Sequence, residues 1–420
     1  MSNVLPEMKK KVLVWADSPT CSTGFATVSR NVLKVLYDTG KYDFDIVGIN
    51  HGGQPHDFPY KIWPAMNPVA ADKRYQVPHG FQLFVDMAGK GIYDIVFIIQ
   101  DTFIVSHVMD ALEKTWNKVE KKFSVVYYFP IDAAPKKEWI TKVASKLHYP
   151  VAYTQYAKSE AEAHDPNLYK MPIIYHGVNK EEFFPMDKQA VKKEMYKEKA
   201  DKFIVLSVAR NQPRKDLLRT FMGYSLFRKK HPDSFFYILA QANDVGGNLI
   251  ELAANCGLEY GKDWGCPPPE YSANQGFPVS TVNMIYNSAD LVVSTAHGEG
   301  FGLHNSESMA TQTPLLVPKN TAYTEIIGEN EERGYFIKSG TDANLWSYHG
   351  ASDNNVLRPV VDVYDMVDKM CYIKEHYGEA LTKAHAGFKW IPSWEDVGKE
   401  WVKVFEKAEK VPDKFEYVFK

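Results

Sequence analysis

The chain has 420 residues, 45% hydrophobic and 24% charged, which suits a folded protein with room for two domains of ordinary size and excludes extensive disorder. A net charge of −3 offers no general attraction to nucleic acid or acidic lipid. The four cysteines (Cys21, Cys256, Cys266, Cys371) are scattered with no CxxC pair or nearby His, so the expectation is a reduced, cytoplasmic chain without a disulfide framework or zinc site.

In chain order, Lys11–Ala16 is an apolar strand ended by Asp17-Ser-Pro-Thr20. A helix is expected over Thr27–Tyr37, with Val28, Val32, Val35 and Leu36 on one face. Short Val-, Ile- and Tyr-rich runs follow at Phe44–Ile49, Ile92–Ile99, Phe123–Phe129 and Val151–Thr154, with a helical stretch at Ser106–Val119. The pattern restarts after Phe184-Pro185 and a lysine-glutamate helix, Lys188–Asp201, read as a solvated linker element. Strands at Phe203–Val208, Phe235–Ala240, Leu291–Ser294 and Leu315–Val317 alternate with helices, the first over Leu217–Lys230. Such alternation predicts an α/β protein with two doubly wound, Rossmann-like parallel sheets. The expected domains are 1–178 and 179–392. The last helices, Tyr364–Tyr377 and Trp394–Glu409, are expected to pack back across the boundary, with about 393–420 returning to the first domain. Met1–Lys11 lacks an apolar stretch long enough for a signal peptide, and no run approaches the roughly 18 apolar residues of a membrane span.

Chemistry concentrates in the second module. His297-Gly-Glu-Gly-Phe-Gly-Leu-His-Asn-Ser-Glu307 places two carboxylates, Glu299 and Glu307, around a glycine turn that leads into a helix. Free backbone N–H groups at such a turn suit a phosphorylated ligand, and the carboxylates can accept from sugar hydroxyls. The bland account is that the helix dipole alone favours a Glu in the first turn. Upstream, Val208-Ala-Arg210-Asn-Gln-Pro-Arg-Lys215 sets cations at the carboxyl end of a strand, where doubly wound sheets bind ligands. Arg210 and Lys215 suit a diphosphate; Arg214 is a third cation with a weaker claim. A solvated basic turn is the competing account.

These residues resemble the signature of the retaining glycosyltransferases of family four, a group 1 family that includes glycogen-synthase-like and mannosyltransferase-like enzymes. There, two Glu separated by seven residues flank a Gly-Phe-Gly-Leu core, and Glu299, Phe301, Gly302, Leu303 and Glu307 fall in register. Tyr175–Pro185 resembles the family's interdomain crossover, Tyr153–Lys158 the strand and turn before it, and Met284–Leu291 its Tyr-x-x-Ala-Asp helix. The resemblance implies the GT-B architecture, two Rossmann-like domains facing across a cleft that holds the active site. It also implies hexosyl transfer with retention from a nucleotide-diphosphate sugar, UDP- or GDP-linked, with no cofactor and no metal. Arg210 and Lys215 would then neutralise the diphosphate, Glu299 would hold the donor sugar and Glu307 the ribose. Asp43-Phe-Asp45 has Asp-x-Asp form but overlaps a strand and is read as structural.

The first module departs more from the family. Ser22-Thr-Gly24-Phe-Ala-Thr27 carries one glycine where relatives usually carry a Gly-rich loop; Gly24 is a candidate donor contact, and plain N-capping by Ser22, Thr23 or Thr27 is the competing account. Asp132, after Tyr127-Tyr-Phe-Pro-Ile, is a candidate for the acceptor hydroxyl or the sugar and equally a cap for a helix at Pro135–Lys146; Asp101 is a further candidate. That helix mixes lysines with Trp139, which suits a solvated face with one packed side before it suits a lipid surface or a nucleic-acid backbone. The acceptor stays open among a glycan, a lipid-linked sugar, a small molecule and a modified DNA base. An epimerase and a non-catalytic nucleotide-sugar-binding protein are the rival readings. Oligomeric state is not legible.

Overall fold

Six short apolar strands in each half of the chain line up side by side as two separate parallel sheets. The computed structural model describes residues 8–134, 138–272, 275–350 and 353–418. The first sheet contains β1 (Lys10–Asp17), β2 (Tyr42–Ile49), β3 (Lys61–Pro64), β4 (Ile95–Ile99), β5 (Ser124–Phe129) and β6 (Tyr149–Ala152), ordered β3-β2-β1-β4-β5-β6 with every pair parallel. Winding outward from β1 in both directions is the doubly wound topology, whose ligands bind beyond the carboxyl ends of the strands. Every residue of β4 and β5 is buried, as expected of strands covered on both faces.

The second sheet repeats that order. Its strands are β7 (Phe203–Val208), β8 (Ser234–Leu239), β11 (Trp264–Gly265), β12 (Leu291–Val293), β13 (Leu315–Pro318) and β14 (Tyr335–Ile337), ordered β11-β8-β7-β12-β13-β14 and again all parallel. Two antiparallel hairpins accompany it, β9 (Asn243–Asp244) with β10 (Gly247–Asn248), and β15 (Trp346–His349) with β16 (Val356–Pro359).

Contacts divide the chain into two compact units. One takes in Met1–Ile131, Lys136–His176 and Trp394–Lys420; the other takes in Gly177–Ser393 together with the short segment that begins at Asp132. In the first unit, the helix Trp394–Ala408 seats Trp401 and Phe405 against Phe97, at ring centroid distances of 5.2 Å each. In the second, the helix Val363–Glu375 lies on the helix Leu217–Lys230 with Met366 against Gly223, where any Cβ would meet the sulfur. The expected return of a Tyr364–Tyr377 helix across the boundary is therefore corrected: it belongs to the second unit.

Local differences have local causes. The helix expected over Ser106–Val119 is observed over Met109–Lys118, with a separate one-turn helix, Thr102–Val105, before it. The expected helix at Pro135–Lys146 is observed over Glu138–Lys146; residues 135–137 and the Trp139 side chain lie outside the described residues. Asp43 and Asp45 lie within β2, and Asp45 accepts from Tyr93 Oη at 3.0 Å.

The lysine-glutamate helix is not a solvated linker. Its α-helical part is Lys188–Tyr196, and Lys192 is buried with Nζ 2.5 Å from Asp290 Oδ2. Lys188 Nζ lies 3.7 Å from the other oxygen, and Ile204 N donates to Asp290 Oδ2 at 2.8 Å. Apolar lysine stems can line a core when their ammonium groups find a partner, and buried Asp290, at the entrance to β12, is that partner. Burial lowers the Lys188 ammonium to about 8 against the opposing pull of Asp290. Removing one member of such a buried cluster leaves the others uncompensated. Asp290→Ala should cost about 3–5 kcal/mol, read as a lower midpoint in chemical denaturation, whereas Lys34→Ala in an exposed pair should change it little.

Candidate functional site

Two loops at the carboxyl ends of β7 and β12 meet in the second unit. The first leaves β7 through Ala209–Gln212, makes one 3₁₀ turn at Pro213–Lys215 and enters the helix Leu217–Lys230 at Asp216, which has φ 49°. Asn211 is buried and its Nδ2 donates to Gly247 O at 2.7 Å, tying this loop to the β9–β10 hairpin. The second runs from Ser294 to Gly302 and opens the helix Leu303–Ala310, with Gly302 in the left-handed region at φ 84°. Asn305 N donates to Gly302 O at 2.9 Å, while the amides before it, at the very start of the helix, precede any intrahelical carbonyl and suit an anionic ligand.

Glu299 joins the loops. Its buried carboxylate bonds Lys215 Nζ through Oε1 and lies 3.4 Å from Arg214 Nη1 through Oε2. Its backbone N–H donates to Thr321 Oγ1 at 3.0 Å. Burial opposes ionisation of Glu299, but Lys215 and Arg214 prevail and hold it down at about 2. Burial and the neighbouring Arg214 push Lys215 down to about 8, with Glu299 opposing. At neutral pH the site thus holds one carboxylate between two cations.

Arg214 does more than the sequence suggested. Besides Glu299, its Nη1 donates to Gly298 O at 2.8 Å and lies 3.6 Å from Asp132 Oδ2. Arg210 points elsewhere: its half-exposed guanidinium donates from Nε to Asp244 Oδ2 at 2.9 Å. The two arginines sit four residues apart, and only Arg214 lies in the 3₁₀ turn, which directs it to different partners.

Glu307 occupies a different environment from Glu299. Tyr286 Oη donates to its Oε2 at 2.6 Å, so the helix Val279–Ser288 supplies its support. Burial pushes Glu307 up to about 7, although the Tyr286 hydroxyl opposes the rise. Phe301 is 2% exposed and serves as packing in the turn, and Leu303 is the first residue of the following helix. Gly24 belongs to the first unit. It opens the helix Gly24–Asp38, capped by Thr23, whose Oγ1 accepts from Ala26 N at 3.1 Å and donates to Asp17 Oδ2 at 2.5 Å.

Asp132 groups with the second unit, and a residue with no sequence signal holds it. Arg358 is 1% exposed and donates from Nη1 to Asp132 O at 2.8 Å and from Nη2 to Asp132 Oδ1 at 3.2 Å. Thr321 and His297 were likewise not singled out by sequence; His297 Nε2 lies 2.8 Å from Asp216 Oδ2. Among the described residues no group of three or more His, Cys, Asp or Glu side chains is placed to hold a metal ion, and no helix is long and apolar enough to cross a membrane.

One backbone position makes the assembly possible. Gly298 has φ 151°, and a Cβ there would sit 2.0 Å from Asp132 O and 3.1 Å from the Thr321 methyl group. Gly298→Ala should therefore separate the Arg214–Gly298 and Asp132 contacts and cost on the order of 2 kcal/mol or more. Thermal denaturation reads the loss; an unchanged melting temperature would show that the loop relaxes freely.

Comparison with known proteins bears on the fold and on one segment of the chain. Residues 275–347, which hold the Glu299–Glu307 turn, match the family model described as glycosyl transferases group 1. No curated protein sequence matches the chain. Solved structures similar in fold include sucrose-phosphate synthase from Thermosynechococcus elongatus, 14% identical with a TM-score of 0.73, covering 95% of this chain and 99% of that one. Anabaena HepE in complex with UDP and glucose is 14% identical with a TM-score of 0.68, covering 95% and 100%. A glycosyltransferase from Rickettsia africae is 14% identical with a TM-score of 0.67, covering 97% and 100%. The two six-stranded parallel sheets are those of the GT-B fold, and the segment around Glu299 is similar to the glycosyl transferases of group 1.

Proposed function

We propose that the protein transfers a hexose, with retention, from a nucleotide-diphosphate sugar to an acceptor hydroxyl, and that the second unit binds the donor. The observation that carries the reading is the meeting of Lys215, Arg214 and Glu299 beside the amino end of the helix Leu303–Ala310. A diphosphate leaving group gathers negative charge as the glycosidic bond breaks, and fixed cations and amides aimed at it lower the barrier. Lys215 and Arg214 supply that charge, with the half-exposed Arg210 as a further cation for the diphosphate. Glu299 orients Lys215 and, with the neighbouring backbone, holds the sugar, while Glu307 accepts from the ribose hydroxyls. The departing diphosphate oxygen takes the acceptor proton on the same face, so a strong protein base is not required. Asp132 is assigned to the acceptor side of the reacting centre. Fold similarity to a protein crystallised with UDP and glucose supports a UDP-sugar donor.

A panel of UDP-, GDP- and ADP-sugars tests the donor half without knowledge of the acceptor. A ligand that binds only the native state raises the melting temperature, by an amount that grows as its concentration passes Kd. At least one nucleotide sugar should give a rise, and Lys215→Ala and Glu307→Ala should each abolish most of it. No rise with any member would refute the reading.

The state of Glu307 adds a pH signature. With its carboxyl pushed up to about 7, it becomes a full acceptor only as pH rises through that value. Nucleotide affinity should therefore increase several-fold between pH 6 and pH 8 in the wild type, and Glu307→Gln should flatten the increase. Calorimetric titration with UDP at several pH values measures it. Folding stability carries the opposite sign: a group whose folded value is raised contributes stability that fades as pH rises from the unfolded value toward 7.

A further inference from the structure

Arg358 is fully buried, charged and outside the segment that the family model matches, which ends at residue 347. It rides on the hairpin β15–β16, whose register pairs Ser347 with Arg358 and His349 with Val356. Directly opposite residues share a face, so Arg358 and His349 lie together on one side. Trp346, Tyr348 and Leu357 lie on the other, which is exposed. Both members of the inner face reach the site. His349 Nε2 lies 3.0 Å from His297 Nδ1, two residues before Glu299, and an Nε2–H on each ring satisfies this contact and the His297–Asp216 contact together. Arg358 grips Asp132 twice, through its carbonyl and its Oδ1, while Asp132 Oδ2 faces Arg214. The rest of its guanidinium is occupied by Asp353, bonded to Nε and, at 2.9 Å, to Nη2.

Burying an arginine among carboxylates costs desolvation that the pairing only repays, so such clusters add little net stability. What the planar fork supplies is fixed geometry. Here one guanidinium sets both the backbone and the side-chain torsion of a single residue, the one assigned to the reacting centre. We infer that Arg358 is a positioning residue for sugar transfer: carried in by the hairpin, it fixes the Asp132 carboxylate beside Arg214 and Glu299. This rests on the reading of the second unit as a sugar-transfer site.

The test uses the full chain, with the nucleotide sugar that gives the largest thermal shift in the panel as donor and water as acceptor. Release of nucleoside diphosphate gives kcat and KM, and calorimetry gives its Kd. Arg358→Met should lower kcat at least tenfold with Kd changed less than about twofold, and Arg358→Lys should recover part of the loss. Asp132→Asn should be slow, and the Arg358→Met/Asp132→Asn double variant should be no slower than Asp132→Asn alone, because Arg358 acts through Asp132. Should Arg358→Met fail to fold, Asp353→Asn loosens the fork while leaving Arg358 on Asp132, and a kcat reduced about threefold at unchanged KM is expected. Wild-type kcat in a folded Arg358→Met or Asp353→Asn variant would overturn the proposal. So would a Kd that rises in step with the fall in kcat, or losses that multiply in the double variant. A wild-type protein that neither binds nor turns over any donor would overturn the functional reading itself, which separates the two failures.

Discussion

A carboxylate held ionised out of contact with water organises the second unit's site. Glu299 is buried, and an uncompensated charge there would be expelled or neutralised. It is kept charged by Lys215 and Arg214, which come from a loop more than eighty residues earlier in the chain. The demand for compensation thus forces the β7 and β12 loops together, and the other features follow. Gly298 must lack a side chain for the strands of contact to close, Thr321 must meet the Glu299 amide, and Asp216 must take a left-handed conformation to start the next helix.

The two glutamates of the turn show how much environment decides. They lie on one short segment, yet Glu299 titrates near 2 and Glu307 near 7. Cations surround the first; the second has a tyrosine hydroxyl and the distant negative charge of Glu182. Near neutrality one is a fixed anion and the other an adjustable hydrogen-bonding group.

What was legible in the chain was what is local. Continuous apolar runs marked the central strands, and the spacing of Glu299 and Glu307 was visible because both sit within one turn and helix. The short edge strand Lys61–Pro64 and the two-residue strand Trp264–Gly265 gave no periodic signal, since a sheet edge needs little apolar sequence. The choice of Arg214 over Arg210 for Glu299 depends on one 3₁₀ turn, which a list of nearby cations does not reveal. Arg358 was invisible for a different reason: its partner, Asp132, is more than two hundred residues away. The lysines of the helix Lys188–Tyr196 looked solvated because their partner, Asp290, is about one hundred residues downstream.

That Asp290 cluster bears on how the second unit can be isolated. The sheet begins at Phe203, and a fragment cut there would look complete by its strands. It would nonetheless carry a buried aspartate stripped of both ammonium groups, with only the hydrogen bonds from Ile204 N and the Tyr377 hydroxyl left to it. The helix Lys188–Tyr196 is in electrostatic terms a part of that sheet, joined to the amino ends of its central strands β7 and β12, although in sequence it precedes every strand of it. The smallest self-sufficient piece of this unit has to begin before Asp187, the residue that caps the helix.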